Sequence, residues 1–246
     1  MAAFQSVRRN SANNAFEAFL PATADAYYGE TYFYTATGGA ATSLAIDTAL
    51  LYHAFVLVAT AGLCSGFTHK VGQANAIASV AENVAGVSYK VTTTGNHLLV
   101  AGEPITHTGF TTRTTYRGKF IVQSTPSATE YVVLGTYLGT DTGFMKRAFT
   151  LRANTGSAGI YRVVHSMSAE ATIATTTFKV EANLNISDLD NIATEINYHI
   201  AGKPLEASCA GLVTIADGDY LWLSMANLTD ATDIAIRHCN MNLSRV

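Results

Sequence analysis

Apolar and polar residues alternate with a period of two in several separated stretches of the chain. Phe178, Val180, Ala182 and Leu184 are separated by Lys179, Glu181 and Asn183, the spacing of a strand with one face in a core and the other in water. Leu221, Leu223 and Met225 alternate with Trp222, Ser224 and Ala226, and Ile234, Ile236 and His238 with Ala235, Arg237 and Cys239. Asp217-Gly218 precedes the first of these two runs, and Gly supplies the positive φ of a tight turn between strands. Residues 32–35, 41–45, 52–59, 67–71 and 76–80 read as further strands. The run 53–59 is apolar on both faces, which predicts a doubly buried strand and points to an oligomer interface. No long segment repeats at 3.6 residues, so the class is all-β. Short helical turns are predicted only at residues 10–18, with Ser11 as N-cap, and at the acidic stretch 186–196.

The texture changes along the chain and divides it. Residues 1–26 form an arm with four large apolar side chains, Phe4, Phe16, Phe19 and Leu20, beside Arg8 and Arg9. That number of apolar groups predicts docking on a neighbour rather than free solvation. Residues 27–85 read as strands of a sandwich. Residues 86–146 hold short strands at 87–91, 104–108, 119–124 and 129–134 with polar turns between them, a small β-barrel-like module, and the Gly- and Thr-rich stretch 135–143 reads as its exit linker. Strands of the sandwich resume over 147–246.

Composition narrows the function classes. Of the 246 residues 48% are hydrophobic and 13% charged, with a net charge of −3. The charged share is about half the usual quarter, so Thr, Ser, Asn and Gly, or neighbouring subunits, must cover the surface. The charge gives no electrostatic case for nucleic acid or an anionic membrane. The apolar run 49–64 falls short of the roughly 18 to 20 residues that span a bilayer, and His53 interrupts it. Arg8 and Arg9 lead into polar residues, so no secretory leader is expected. Cys64, Cys209 and Cys239 are an odd number without metal or redox spacing and read as reduced.

Several short stretches carry a resemblance. Residues 153–164 (Ala-Asn-Thr-Gly-Ser-Ala-Gly-Ile-Tyr-Arg-Val-Val), 178–183, 213–223, 227–234 and 237–243 resemble the tumour necrosis factor-like jelly rolls of tailed-phage virion proteins. Residues 60–68 are similar to an earlier strand pair of such proteins, with Ser65 in place of Asn. The middle module resembles a second recurrent phage β-domain through His97-Leu-Leu, Gly102-Glu103 and Tyr116-Arg-Gly-Lys-Phe-Ile-Val. It departs from that pattern at Leu98 for Gly, Glu103 for Asp and Arg117 for Asn. The resemblance implies a jelly-roll β-sandwich, built from 27–85 and 147–246, with the small module inserted in one loop and an extended N-terminal arm. It also implies a homotrimer on a capsid or tail.

Candidate chemistry is sparse. Gly62-Leu-Cys64-Ser-Gly66 has the spacing of a nucleophile elbow but lacks the helix that motif requires, and reads as a tight turn. Seven histidines are scattered without ligand spacing. His165 and His238 are the two placed to meet at a threefold axis, and either serves equally as an ordinary strand residue. Asp217 with Asp219, Asp188 with Asp190, and Asp230 with Asp233 are close pairs of hard donors, yet none completes a calcium loop, and Asp is a common turn former. Tyr27, Tyr28, Tyr32, Tyr34, Tyr116, Tyr131 and Tyr137 supply recognition area at low entropic cost.

The expectation is a non-enzymatic virion protein without catalytic residues, metal or cofactor: a capsid decoration or cement protein whose partners are the major capsid protein and itself. The arm residues Phe4, Arg8, Arg9, Phe16, Phe19 and Leu20 would grip the capsid or a neighbour. Phe55, Leu57, Trp222 and His238 would line the trimer interface, and Phe110, Arg113 and Tyr116 would form an outward recognition loop. No nucleic acid or membrane is expected as partner. The site would be the capsid surface, or alternatively the tail, after synthesis in the host cytoplasm. The alternatives are a tail fibre or receptor-binding protein gripping a host glycan and, third, a polysaccharide-degrading enzyme.

Overall fold

The computed structural model of the protein describes residues 6–9, 16–19, 27–34, 42–44, 46, 51–57, 59–171 and 173–246. Near the start, β1 (Ser6–Arg9) and β2 (Phe16–Phe19) pair antiparallel, Ser6 opposite Phe19 and Arg9 opposite Phe16. The helical turn expected at 10–18 is therefore strand at residues 16–18, where a paired neighbour satisfies the backbone groups and Phe favours a pleated chain. Residues 10–15, and with them Ser11, lie outside the described residues, as do Phe4 and Leu20.

The sandwich begins with β3 (Tyr28–Tyr34), β4 (Thr42–Leu44), β5 (His53–Ala54), β6 (Thr60–Ala61) and β7 (Phe67–Lys70). The chain then leaves it for β8 (Gln73–Val84), β9 (Ser88–Thr93), β10 (Pro104–Thr108), β11 (Gly118–Ser127), β12 (Glu130–Leu134) and β13 (Gly143–Arg147). It returns as β14 (Thr150–Ala153), β15 (Gly159–Ala171), β16 (Thr176–Leu184), β17 (Ser187–Tyr198), β18 (Leu205–Ile215), β19 (Tyr220–Asn227) and β20 (Ile234–Arg245). One sheet runs β18-β15-β20-β3-β6 with β4 on β20; the other runs β17-β16-β19-β14-β7 with β5 on β19. Two antiparallel sheets in this order make a jelly roll. Tyr161, Val163, Met167, Ile236 and Met241 from the first sheet meet Phe178, Val180, Leu223 and Met225 from the second in one buried core.

Two sandwich strands differ from expectation. The stretch 186–196 is strand β17, not a helical turn: Asn185, at φ 56, turns the chain so that Leu184 pairs with Ser187. Asn tolerates this left-handed conformation better than most residues. In β20, a bulge shifts the register between Ser168–His238 and Ala169–Ile236. An extra residue sends two consecutive side chains to the same face, so Arg237 and His238 both point outward while Cys239 is buried with Ile234 and Ile236. The uninterrupted alternation across Arg237 and His238 does not hold.

The inserted unit is a closed barrel, β10-β11-β12-β9-β8-β13. Its boundary lies before Gly86, because β8 pairs with β9 on one side and β13 on the other. Residues 135–142 are a loop inside the barrel rather than an exit linker, since β13 follows and closes it. Tyr89, Tyr116, Tyr131, Phe110, Ile105 and Val122 fill the interior with other apolar groups.

The barrel is inserted between β7 and β14, which pair with each other, Lys70 opposite Thr150. Just beyond, Gln73 pairs with Arg147 in the barrel, so one two-stranded ribbon runs from sandwich to barrel. At this neck a Cβ on Gly72 would stand 2.6 Å from the Leu57 backbone nitrogen, a space only glycine fits. Glu103, fully buried, accepts from Lys70 Nζ and Val100 N at 3.0 Å each and faces Arg147 Nη1 at 3.4 Å. Arg147 also donates to the carbonyls of Val71 and Leu98. One carboxylate thus ties the entering strand to the leaving one, which gives the Asp-to-Glu departure at this position a physical role.

Candidate functional site

The two sheets have different outward faces. On the β16–β19 sheet, the outward residues Glu181, Asn183, Trp222 and Ser224 are buried, because residues 51–57 and the barrel lie over them. Tyr52 and the barrel's Lys119 sit directly on this face. The face expected to meet solvent on β16 is therefore covered within one chain.

Among the described residues, nothing lies over the outward face of the β15–β20 sheet. Strand pairing sets its side chains in rows: Tyr34, His238, Ser168 and Glu206; Tyr32, Asn240, Ser166 and Ser208; Glu30, Asn242, Val164 and Ala210; Tyr28, Ser244, Arg162 and Leu212. Tyr28, Tyr32 and Tyr34 are exposed, Tyr34 to 62%, and the Tyr34 and His238 rings meet edge-on at 6.4 Å. A shallow hollow beside the bulge is lined by Ser166, Met167, Glu206, Ala207, Ser208 and His238. Small polar residues on a pleated surface make a flat platform with few charges to desolvate, the composition that suits contact with another protein surface. At its margin Arg237 makes two hydrogen bonds to Glu170, at 3.0 and 3.1 Å.

Most residues expected at an interface are placed elsewhere. Phe55 and Leu57 lie in the sandwich core, Phe55 stacked on Phe149 at 6.3 Å. Trp222 packs with Ala54 and Ala148 and donates its indole N–H to the Asn185 carbonyl. All three are buried by their own chain and cannot line a contact between copies. Phe55, Leu57 and Ala59 are buried in the sandwich core, while Ala54 packs with Trp222 and Ala148 at the barrel side. Only His238, half-buried on the uncovered face, stays available. His165 points into the core, where Nε2 is 3.2 Å from the Ile192 carbonyl and burial lowers its pKa.

The outward recognition loop is likewise corrected. Phe110 and Tyr116 are barrel core, edge to face at 5.4 Å, and Arg113 alone is exposed. Tyr131 is also interior, with its hydroxyl 2.7 Å from His107 Nε2. Apolar bulk won in these loops: an aromatic ring between polar turn residues closes the end of a small barrel more favourably than it stands in water. Arg8, Arg9, Phe16 and Phe19 lie on β1 and β2, and the structure describes their backbone pairing only.

The acidic pairs are engaged within the chain. Asp217 accepts from the backbone N–H groups of Gly156 and Ala158, which hold its carboxyl below the usual range. Asp219 accepts from Ala216 N and Asn185 Nδ2, and Asp230 from Thr232 N and Asn227 Nδ2. Asp188 and Asp190 take Lys119 and Lys179. Among the described residues no group of three His, Cys, Asp or Glu side chains is placed to hold a metal. Cys64 lies in the loop between β6 and β7, where Gly66, at φ 78, makes a turn between strands. The three cysteines are free, and burial raises the Cys239 thiol.

The sequence missed the barrel–sandwich junction. Lys119, Glu181, Asn183 and Ser224 converge there from β11, β16 and β19. No local pattern marks them, because each sits at an ordinary polar position of an alternating strand.

No protein-family model matches the chain, and no curated protein matches it. Among solved structures it is similar to PRD1 vertex protein P5 at 12% identity and a TM-score of 0.41, over 98% of this chain and 81% of that one. A likeness to an Arthrobacter globiformis T6 isomalto-dextranase complexed with panose has 12% identity and a TM-score of 0.21, over 66% of this chain and 36% of that one. At these TM-scores neither likeness carries an argument. The jelly roll rests on the strand order described above.

Proposed function

We propose that the chain is a structural protein of a tailed-phage virion, a decoration or cement protein that acts by adhesion as a homotrimer. The observation that carries this reading is the pairing of one covered sheet with one bare one. The barrel occupies one side of the sandwich, and the flat tyrosine-rich face on the other is left for a second copy. The turns at residues 153–159 and 216–219 and the inserted β-module agree with the virion proteins the sequence resembles. In this reading His238, Tyr32, Tyr34 and Asn240 belong to the trimer contact, replacing Phe55, Leu57 and Trp222. The segment 1–26 supplies the grip on capsid, and the barrel projects away from the trimer axis.

Light scattering on the purified chain tests the assembly. A trimer is expected, and Tyr32→Asp, which sets a carboxylate in the middle of the bare face, is expected to give a folded monomer. A wild-type monomer at high concentration would remove the self-association reading. Capsid binding that survives deletion of residues 1–20 would remove the arm's role. Attachment of the isolated protein to host cells would favour a tail receptor-binding role instead, and imaging the chain on the particle separates capsid from tail.

A further inference from the structure

The junction between barrel and sandwich brings an amine, an amide and a buried acid into contact. Lys119 Nζ lies 2.5 Å from Asn183 Oδ1 and 3.2 Å from Glu181 Oε1. Glu181 and Asn183 are fully buried, and the Lys119 side chain is 13% exposed. The Tyr52 ring centre is 4.6 Å and the Trp222 ring centre 5.5 Å from the same Nζ, so aromatic surface keeps water from the group. Asn183 Nδ2 donates to Ser224 Oγ at 2.8 Å, which fixes the amide with its carbonyl toward the lysine, and Ser224 Oγ lies 3.5 Å from Glu181 Oε1.

We propose that Lys119 and Asn183 become joined by an intramolecular isopeptide bond, with Glu181 as the proton carrier. Glu181 takes a proton from the Lys119 ammonium, and the neutral amine attacks Cγ of Asn183. The new C–N bond forms as the carbonyl electron pair moves to Oδ1, which takes the proton from the Glu181 carboxyl. Collapse of the tetrahedral centre breaks the bond to Nδ2. The leaving nitrogen takes up, through Glu181, the proton that the newly bonded nitrogen gives up and departs as ammonia, and the Oδ1 proton, released as the carbonyl re-forms, passes through Glu181 to that ammonia and makes it ammonium. The net change is an ammonium and a primary amide giving a secondary amide and an ammonium ion, with no oxidation or reduction and with Glu181 returned to its starting form.

Holding reactants in contact replaces a bimolecular encounter with a unimolecular step. Burial raises the Glu181 carboxyl, which suits a group that must hold a proton between steps. Two neighbours are poorer reactants. Lys179 is held charged by Asp190 at 2.9 Å. Asp188 also accepts from Lys119, but it is 43% exposed. Burial alone would raise its carboxyl, yet hydrogen bonds from Lys119 and Glu181 hold it low, and a carboxylate resists attack at carbon.

Intact-mass measurement of the full chain in denaturant tests the proposal directly. The expected wild-type mass is lower than the sequence mass by one ammonia, and a protease digest should contain one branched peptide joining Lys119 to Asn183. Glu181→Gln and Lys119→Met, each with unchanged circular dichroism, are expected at full sequence mass. A wild-type chain at full mass overturns the proposal, as does a chain lighter by one water with the link at Asp188. Complete linkage in Glu181→Gln overturns the role of Glu181.

Discussion

The two outward faces of the sandwich are built from the same kind of strand and meet opposite fates. On β16 and β19 the polar positions hold Glu181, Asn183 and Ser224, all buried under the barrel. On β15 and β20 they hold Ser166, Ser168, Asn240 and Asn242, all in partial contact with solvent. Burying polar groups is tolerable only when each finds a partner, and the covered face supplies them through Lys119, Lys179 and reciprocal hydrogen bonds. On the other face Asn242 donates to Asn240 and Arg237 to Glu170, and water can satisfy the remaining polar groups of these half-exposed residues. A polar position can therefore serve as part of an internal junction or as an open platform, depending on what the rest of the chain places over it.

Truncating the covered face should do the largest damage. Trp222→Ala is expected to lower stability by about 3–5 kcal/mol, the usual loss for a buried large aromatic, read as a shift in a denaturant midpoint at unchanged slope. A loss below 1 kcal/mol would mean that the barrel does not seal this face. The neck comes next. Glu103→Gln leaves Arg147 and Lys70 without their counter-charge, which typically costs about 3 kcal/mol or more, and amide exchange should quicken at β7, β8 and β13 before the distant β18.

The barrel also carries an acid sensitivity. Burial lowers the pKa of His107 to about 3 in the folded chain, against the ordinary value of 6.5. Its neutral form contributes stability that is present above pH 6.5 and is lost as the pH falls from there toward 3. The loss is about 1.4 kcal/mol per pH unit at most. Thermal unfolding followed from pH 7 to 5 should show it, and His107→Gln should flatten that slope.

A smaller effect of opposite sign is expected at Leu98, which is exposed and held at φ 51. Glycine accepts that conformation freely, so Leu98→Gly should gain about 1 kcal/mol, measured as a rise in melting temperature. The smallest effect belongs to the bare face. Tyr32→Ala should change the stability of the isolated chain by no more than about 0.5 kcal/mol while weakening self-association. A large intrinsic loss there would erase the contrast between the two faces.

The alternation of Phe178 to Leu184 and of Leu221 to Met225 made the sandwich legible, because a period of two states which side chains share a face. It could not state which polar face would be covered, since Lys119 approaches Glu181 from a distant strand. The barrel's first strand was read at 76–80 but counted with the sandwich, because Ala74, Ala76, Ala78 and Ala81 blur the apolar period of β8 and nothing in them says which unit the strand joins. His238 was assigned to the wrong face by counting through a bulge that only pairing with β15 reveals. Phe110 and Tyr116 looked like loop residues because turn chemistry surrounds them, and closure of the barrel end decided their burial. The departure at Leu98 was visible in the sequence, but its backbone meaning was not.

The ribbon that passes from β7 and β14 into β8 and β13 has a consequence for how the chain folds. Lys70 and Thr150 are far apart in sequence, and joining them across a slack loop would carry a substantial entropic penalty that grows with loop length. The barrel is contiguous in the chain and can form first. Once Gln73 and Arg147 are paired within it, only a few residues separate Lys70 from Thr150 in space. The sandwich then nucleates this strand pair as a short hairpin, and mutations that delay barrel formation should slow the sandwich even when they touch none of its residues.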